Sequence, residues 1–137
     1  MRLLCVSDVH HHRPQMEWIL DRAPDFDGVI LAGDHLDSES LPPLHTQIVD
    51  VSAYLSDLSQ LTMVMAASGN HDLDGPGPDG EQRTSWLSSL RDGQLYGDGQ
   101  SVDVDDVRFT VCPWWDGPRS KEIVERQLQT AAVNRPP

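Results

Sequence analysis

Lysine is almost missing from this chain of 137 residues. A single one, Lys121, stands beside nine arginines, against 17 aspartates and five glutamates. The net charge of -12 creates a long-range field that repels polyphosphate, which argues against nucleic acid or an anionic membrane surface as a partner. Cysteine is also scarce. Cys5 and Cys112 sit far apart in apolar, strand-like stretches, without the close spacing of zinc or redox motifs, so both are expected to be reduced thiols in the core. Long apolar runs are lacking too. The longest is Met63–Ala67, and Leu3–Val6 is too short for a signal-peptide core, so no membrane span or export signal is read and a cytoplasmic protein is expected.

What is present suffices for one compact domain over residues 1–137, because 38% of the residues are hydrophobic and fall in runs separated by polar turns. Residues 2–7 read as a short buried strand, followed by a polar loop over 8–13 and a helix opening at Pro14, with Met16, Ile19 and Leu20 on its apolar face. Residues 28–32 form a second strand. A loop over 33–40 leads to a helix over 42–60, in which Leu44, Ile48, Val51, Leu55 and Leu58 recur at steps of three and four. A third strand over 62–67 enters another polar loop, 68–72. Strand, helix, strand, helix, strand predicts two parallel crossover units, and loops leaving the carboxyl ends of such strands form the binding crevice. Downstream, Gly and Pro density marks 73–82 as loop. A short helix over 83–90, a strand over 94–96, a hairpin over 101–112 turning at Asp105 and Asp106, and a helix over 120–133 that stops before the prolines of 134–137 complete the reading. The fold class is α/β.

All three strands end in polar motifs: Asp8-Val9-His10, Gly33-Asp34, and Gly69-Asn70-His71-Asp72. A parallel sheet brings them to one edge. Two carboxylates, an imidazole and an amide oxygen gathered there repel or remain unpaired unless a cation neutralises them, and mixed oxygen and nitrogen donors suit manganese, iron or zinc. In this order the motifs resemble those of the calcineurin-like metallophosphoesterase superfamily, whose N-terminal half carries D-x-H, G-D and G-N-H-[DE]. The resemblance implies an α/β/β/α sandwich and a site holding two divalent metal ions, with manganese the first expectation. It implies Asp8 and His10 as ligands of the first metal, Asp34 as the bridging carboxylate, and Asn70 as an amide ligand of the second. His71 is implied as the catalytic residue at the scissile phosphate and its leaving group, and Asp72 as a group that orients His71 or nearby backbone. The implied reaction is hydrolysis of a phosphate mono- or diester: the two ions polarise phosphoryl oxygens and lower the pKa of a bound water, which attacks in line.

The chain also departs from that pattern. The family completes its metal shells with three later histidines, one after a further strand and two in a G-H-x-H motif, whereas none of the six histidines here lies beyond His71. The expectation is therefore an incomplete sandwich, parallel units followed by an antiparallel hairpin, in a truncated domain. Its second metal would keep only Asp34 and Asn70, and its turnover would be weak or absent. The expected partners are a phosphate ester and the missing half, a companion chain or a second copy. The alternative is a non-catalytic interaction module, or one half of a split protein, pairing through an open sheet edge. Among the remaining residues, His11 and His12 are expected in a solvated loop, His35 in a structural or solvent role and His45 on the surface. Trp114 and Trp115 read either as core or as a substrate-side aromatic wall. The acidic turn over 103–106 reads as a solvated hairpin tip.

Overall fold

The computed structural model describes residues 1–133. Four parallel strands form the central sheet: β1 (Leu3–Val6), β2 (Gly28–Ala32), β3 (Met63–Ala67) and β6 (Leu95–Tyr96), in that spatial order. The register runs from Leu3 opposite Gly28 to Val6 opposite Leu31, and Ala32 lies opposite Ala67. Helix α1 (Arg13–Arg22) connects β1 to β2 and helix α2 (Leu44–Leu61) connects β2 to β3, the two expected crossovers. A third connection, over residues 68–94, holds a small antiparallel pair, β4 (Gly75–Pro76) with β5 (Gln82–Arg83), and the short helix α3 (Ser85–Ser89). The hairpin β7 (Ser101–Val104) and β8 (Val107–Thr110) and the helix α4 (Pro118–Val133) follow. The stretch read as plain loop over 73–82 therefore carries pairing after all. Gly75 and Pro76 make short, irregular ladder partners that no alternation pattern announces.

Alternation of side chains along the strands divides the core in two. Val29, Leu31, Val64 and Ala66 point to the face covered by Met16 and Ile19 of α1, Val51, Leu55 and Leu58 of α2, and Trp86 and Leu87 of α3. On the opposite face Met63 and Met65 pack against Val102, Val104, Phe109 and Val111 from the hairpin segment. That second cover is partial. Cys5, on the edge strand β1, is exposed and Cys112 is half-buried, which corrects the expectation that both are core thiols. A run of four apolar residues suggests burial on both faces, but although Leu3 packs against the second cluster, Cys5 two residues on is left uncovered. The prolines proposed to end the last helix lie outside the described residues.

Two polar side chains hold the elements behind the site. Gln47 is fully buried in α2. Its Oε1 accepts the N–H of Asp37 at 2.8 Å, while its Nε2 donates to the carbonyls of Asp37 and Pro42, each at 2.8 Å. The loop after β2 is thereby tied to the helix that follows it. The Thr62 hydroxyl donates to the carbonyl of Phe26 at 3.0 Å, fixing the entry to β3.

Candidate metal centre

At the carboxyl ends of β1 and β2 the first two loops are stitched together by backbone, and the third, after β3, is tied to the second through the carboxylates of Asp34 and Asp72. Asp8 N–H donates to the carbonyl of Gly33 at 3.2 Å, His10 N–H to that of Asp34 at 2.9 Å, and His11 N–H to that of His35 at 2.7 Å. Four non-glycine residues there adopt left-handed backbone: Asp8 (φ 56°), His10 (47°), His11 (54°) and Asp34 (55°). Each such conformation is disfavoured by about 1–2 kcal/mol and persists only where the surroundings impose it. The close approach of the loops explains two glycines. A Cβ on Gly69 would lie 2.1 Å from Asp34 Oδ1 and 2.6 Å from Asp34 N, and Gly33, at φ 89°, has Gly69 backbone 3.1 Å from where its own Cβ would stand. The glycines of the second and third motifs are thus where two strand ends touch.

Beneath this contact lies Asp72, with no exposed surface. Its Oδ1 accepts the N–H groups of His35 (2.8 Å) and Leu36 (2.9 Å), and its Oδ2 accepts that of Gly69 (2.8 Å). Trp86 Nε1–H donates to the Asp72 carbonyl at 2.9 Å. Of the two roles expected for Asp72, the geometry is that of orienting backbone. His35 is buried as well, its Nε2 bonded to the carbonyl of Ala67 at 2.9 Å, a structural role as expected.

Above that floor, ligand atoms of Asp8, His10 and Asp34 lie within 4.8 Å of one another. The Asp8 side chain is largely exposed and that of His10 about one-third so, with His10 Nε2 3.7 Å from Asp8 Oδ1. His10 Nδ1 is 3.1 Å from the carbonyl of Leu36. Donation from Nδ1 to that carbonyl fixes the tautomer in which Nε2 carries a lone pair toward the carboxylates, an arrangement usual for a metal-ligating histidine. Two acidic oxygens and one imidazole nitrogen converging in this way suit a divalent cation. Asn70 is exposed on the same rim, between Gly69 and His71. His71 N–H donates to Asp34 Oδ1 at 3.0 Å, and the His71 ring stands edge-on to that of His10, centroids 4.9 Å apart. The five site residues inferred from the motifs therefore share one rim.

Two neighbours escaped the motif reading. Ser38 Oγ is 3.0 Å from His71 Nδ1, which leaves Nε2 as the ring nitrogen open to a ligand. Asp37 lies near both imidazoles, and the Ser40 hydroxyl, then the Glu39 N–H, hold its carboxyl below the usual range. Neither position has a spacing that marks it. His11 departs from the expected solvated loop, since its side chain is mostly covered and its Nε2 lies 3.1 Å from Asp50 Oδ2 of α2. His12 and His45 are exposed as expected. Trp114 and Trp115 are not core: they are 45% and 48% exposed and stack on each other, centroids 6.0 Å apart at 12°.

The family model for calcineurin-like phosphoesterases matches residues 1–124, and the chain belongs to that family. No curated protein matches it. Membership makes a metal-dependent phosphoesterase domain of the parallel sheet and its rim, and the four-stranded sheet with its antiparallel hairpins is consistent with part of that family's fold. Among the described residues no helix is long and apolar enough to cross a membrane.

Proposed function

We propose that Asp8, His10 and Asp34 hold a first divalent cation, that Asp34 and Asn70 contribute to a second, and that His71 acts on the leaving group of a phosphate mono- or diester. The convergence of Asp8, His10 and Asp34 within 4.8 Å, with His10 already oriented through Leu36, carries the reading. When bound, such cations supply Lewis-acid polarisation of phosphoryl oxygens and a more acidic water. The protein's own groups do the rest. Asp34 receives the His71 N–H and so sets the distance between the imidazole and the ion site. Ser38 holds His71 Nδ1, directing Nε2 outward, where it stabilises or protonates the departing oxygen. Manganese fits the mixed donors best, and iron and zinc are compatible with them.

A second ion resting on Asp34 and Asn70 alone would be loosely held, and catalysis needs the constellation fixed to a fraction of an ångström. Turnover by these 137 residues alone is therefore proposed to be feeble, rising when a companion polypeptide supplies further histidines. Isothermal titration with manganese and turnover of bis-p-nitrophenyl phosphate test both statements. No manganese binding would refute the metal site, and full activity of the chain alone, abolished by His71→Ala, would refute its incompleteness. The partly covered sheet face supports pairing with another polypeptide: a groove of about 250 Å³ lies between Ile30 and Ala32 of the sheet and Phe109 and Cys112 beside it. A folded, inactive dimer that neither binds manganese nor gains activity with any companion would favour an interaction module instead.

A further inference from the structure

Gln47 occupies a place in α2 where an apolar side chain is the rule. It shares the buried stripe of that helix with Val51, Leu55 and Leu58, at steps of four, four and three, and has no exposed surface. A buried amide costs stability unless its hydrogen bonds are made. Gln47 makes them on one loop: Oε1 accepts the N–H of Asp37, and Nε2 donates to the carbonyls of Asp37 and Pro42, each at 2.8 Å. Both backbone polar groups of Asp37 are thereby held by one side chain.

The residues on either side of Asp37 face the rim. Leu36 offers its carbonyl to His10 Nδ1 at 3.1 Å, and Ser38 Oγ stands 3.0 Å from His71 Nδ1. The two imidazoles come from different loops, after β1 and after β3, and meet edge-on with centroids 4.9 Å apart. Residues 36–38 are thus a common support of both rings. Asp72 fixes this segment as far as Leu36, through the N–H groups of His35 and Leu36. The bonds that the Asp37 carboxyl accepts, from the Glu39 N–H and the Ser40 hydroxyl, stay within the loop, whereas those of Gln47 tie it to the helix.

We propose that Gln47 is a positioning residue for the metal centre: from inside α2 it fixes Asp37, and through Leu36 and Ser38 it sets the direction of the His10 and His71 rings. An aliphatic side chain of similar volume would fill the same stripe, so packing alone does not account for the amide. A fully bonded polar network instead specifies a single arrangement of the groups it holds. What the two rings do rests on the phosphoesterase reading; their orientation by Gln47 does not.

The test compares Gln47→Leu, which removes the hydrogen bonds to the loop, with Thr62→Val, which removes the bond from the far end of α2 to Phe26 and leaves residues 36–38 untouched. Proton–nitrogen NMR of the imidazole rings is recorded on the full chain with a chelator present, at a pH where neutral imidazole prevails. The wild type is expected to show His10 protonated at Nδ1 alone, and Gln47→Leu a mixture of tautomers at His10 with a shifted His71 signal, while Thr62→Val keeps the wild-type pattern. Manganese affinity is expected to fall roughly tenfold in Gln47→Leu and to hold in Thr62→Val. A residue serving stability alone would move the melting temperature and leave the ring signals in place. Gln47→Glu keeps an acceptor for the Asp37 N–H and loses at least one donated bond; it is expected to give the same changes in smaller measure, and takes over where Gln47→Leu fails to fold. Amide hydrogen exchange of the wild type is expected to show the Asp37 N–H protected like those of the core strands, and decides the matter if neither Gln47 variant folds. The proposal is overturned if wild-type His10 is not protonated at Nδ1, if a folded Gln47 variant keeps the wild-type ring signals or manganese affinity, if Thr62→Val disturbs the rings equally, or if the Asp37 amide exchanges like an unprotected one. A wild type that binds no manganese refutes the metal centre instead, and the ring signals, recorded without metal, still decide this proposal.

Discussion

Asp72 and Asp34 stand on neighbouring loops of one rim and carry the same side chain, but their surroundings differ. Three backbone N–H groups from two loops converge on the Asp72 carboxylate, which has no exposed surface. Asp34 accepts one N–H, from His71, and otherwise faces Asp8 and His10. The carboxylate in the floor is electrostatically complete. The one on the open side is gathered with another carboxylate and an imidazole, a donor set that suits a divalent cation. Burial and hydrogen-bond supply, rather than residue type, separate the structural aspartate from the one proposed to hold a cation.

That difference can be broken from either side. Asp72→Ala would leave three N–H groups without their acceptor and should lower the unfolding free energy by about 4 kcal/mol, measured by urea denaturation. Gly69→Ala should cost about 2 kcal/mol, as expected for overpacking. It should also weaken manganese binding tenfold or more, because the new methyl would stand where Asp34 Oδ1 now lies. Asp98→Asn gives a smaller, pH-dependent effect. Burial raises the folded-state pKa of Asp98, so the wild type holds this increment of stability below the ordinary carboxyl value, about pH 4, and loses it as pH rises through the raised value. The variant should lack that loss, giving a flatter plot of melting temperature against pH and an equal or higher melting temperature at neutrality. Asp34→Asn should change stability least, by under about 0.5 kcal/mol. Asn tolerates the left-handed backbone found there, and its amide oxygen can still accept the His71 N–H.

Much of this was legible in the chain itself. Apolar runs and three- and four-residue spacing place β1 to β3 with α1 and α2, and the three strand-end motifs mark Asp8, His10, Asp34, Asn70 and His71 as neighbours once the sheet is parallel. The supports were not legible. Gln47 lies ten residues beyond Asp37 on a helix face, where its amide looks like an ordinary surface group, and Ser38 is one of two serines in a polar loop. Their roles depend on which backbone groups the fold leaves unpaired, which no spacing encodes. Cys5 was misread for a related reason: local sequence shows that β1 is apolar, not that this edge strand leaves Cys5 uncovered.

The account turns on a cation held by the rim, and titration of manganese into the wild type and into Asp34→Asn by calorimetry tests that directly. Saturable binding by the wild type, lost in a variant with the same urea midpoint and melting temperature, is the predicted result. Absence of binding to the wild type, or equal affinity in the two proteins, would contradict it.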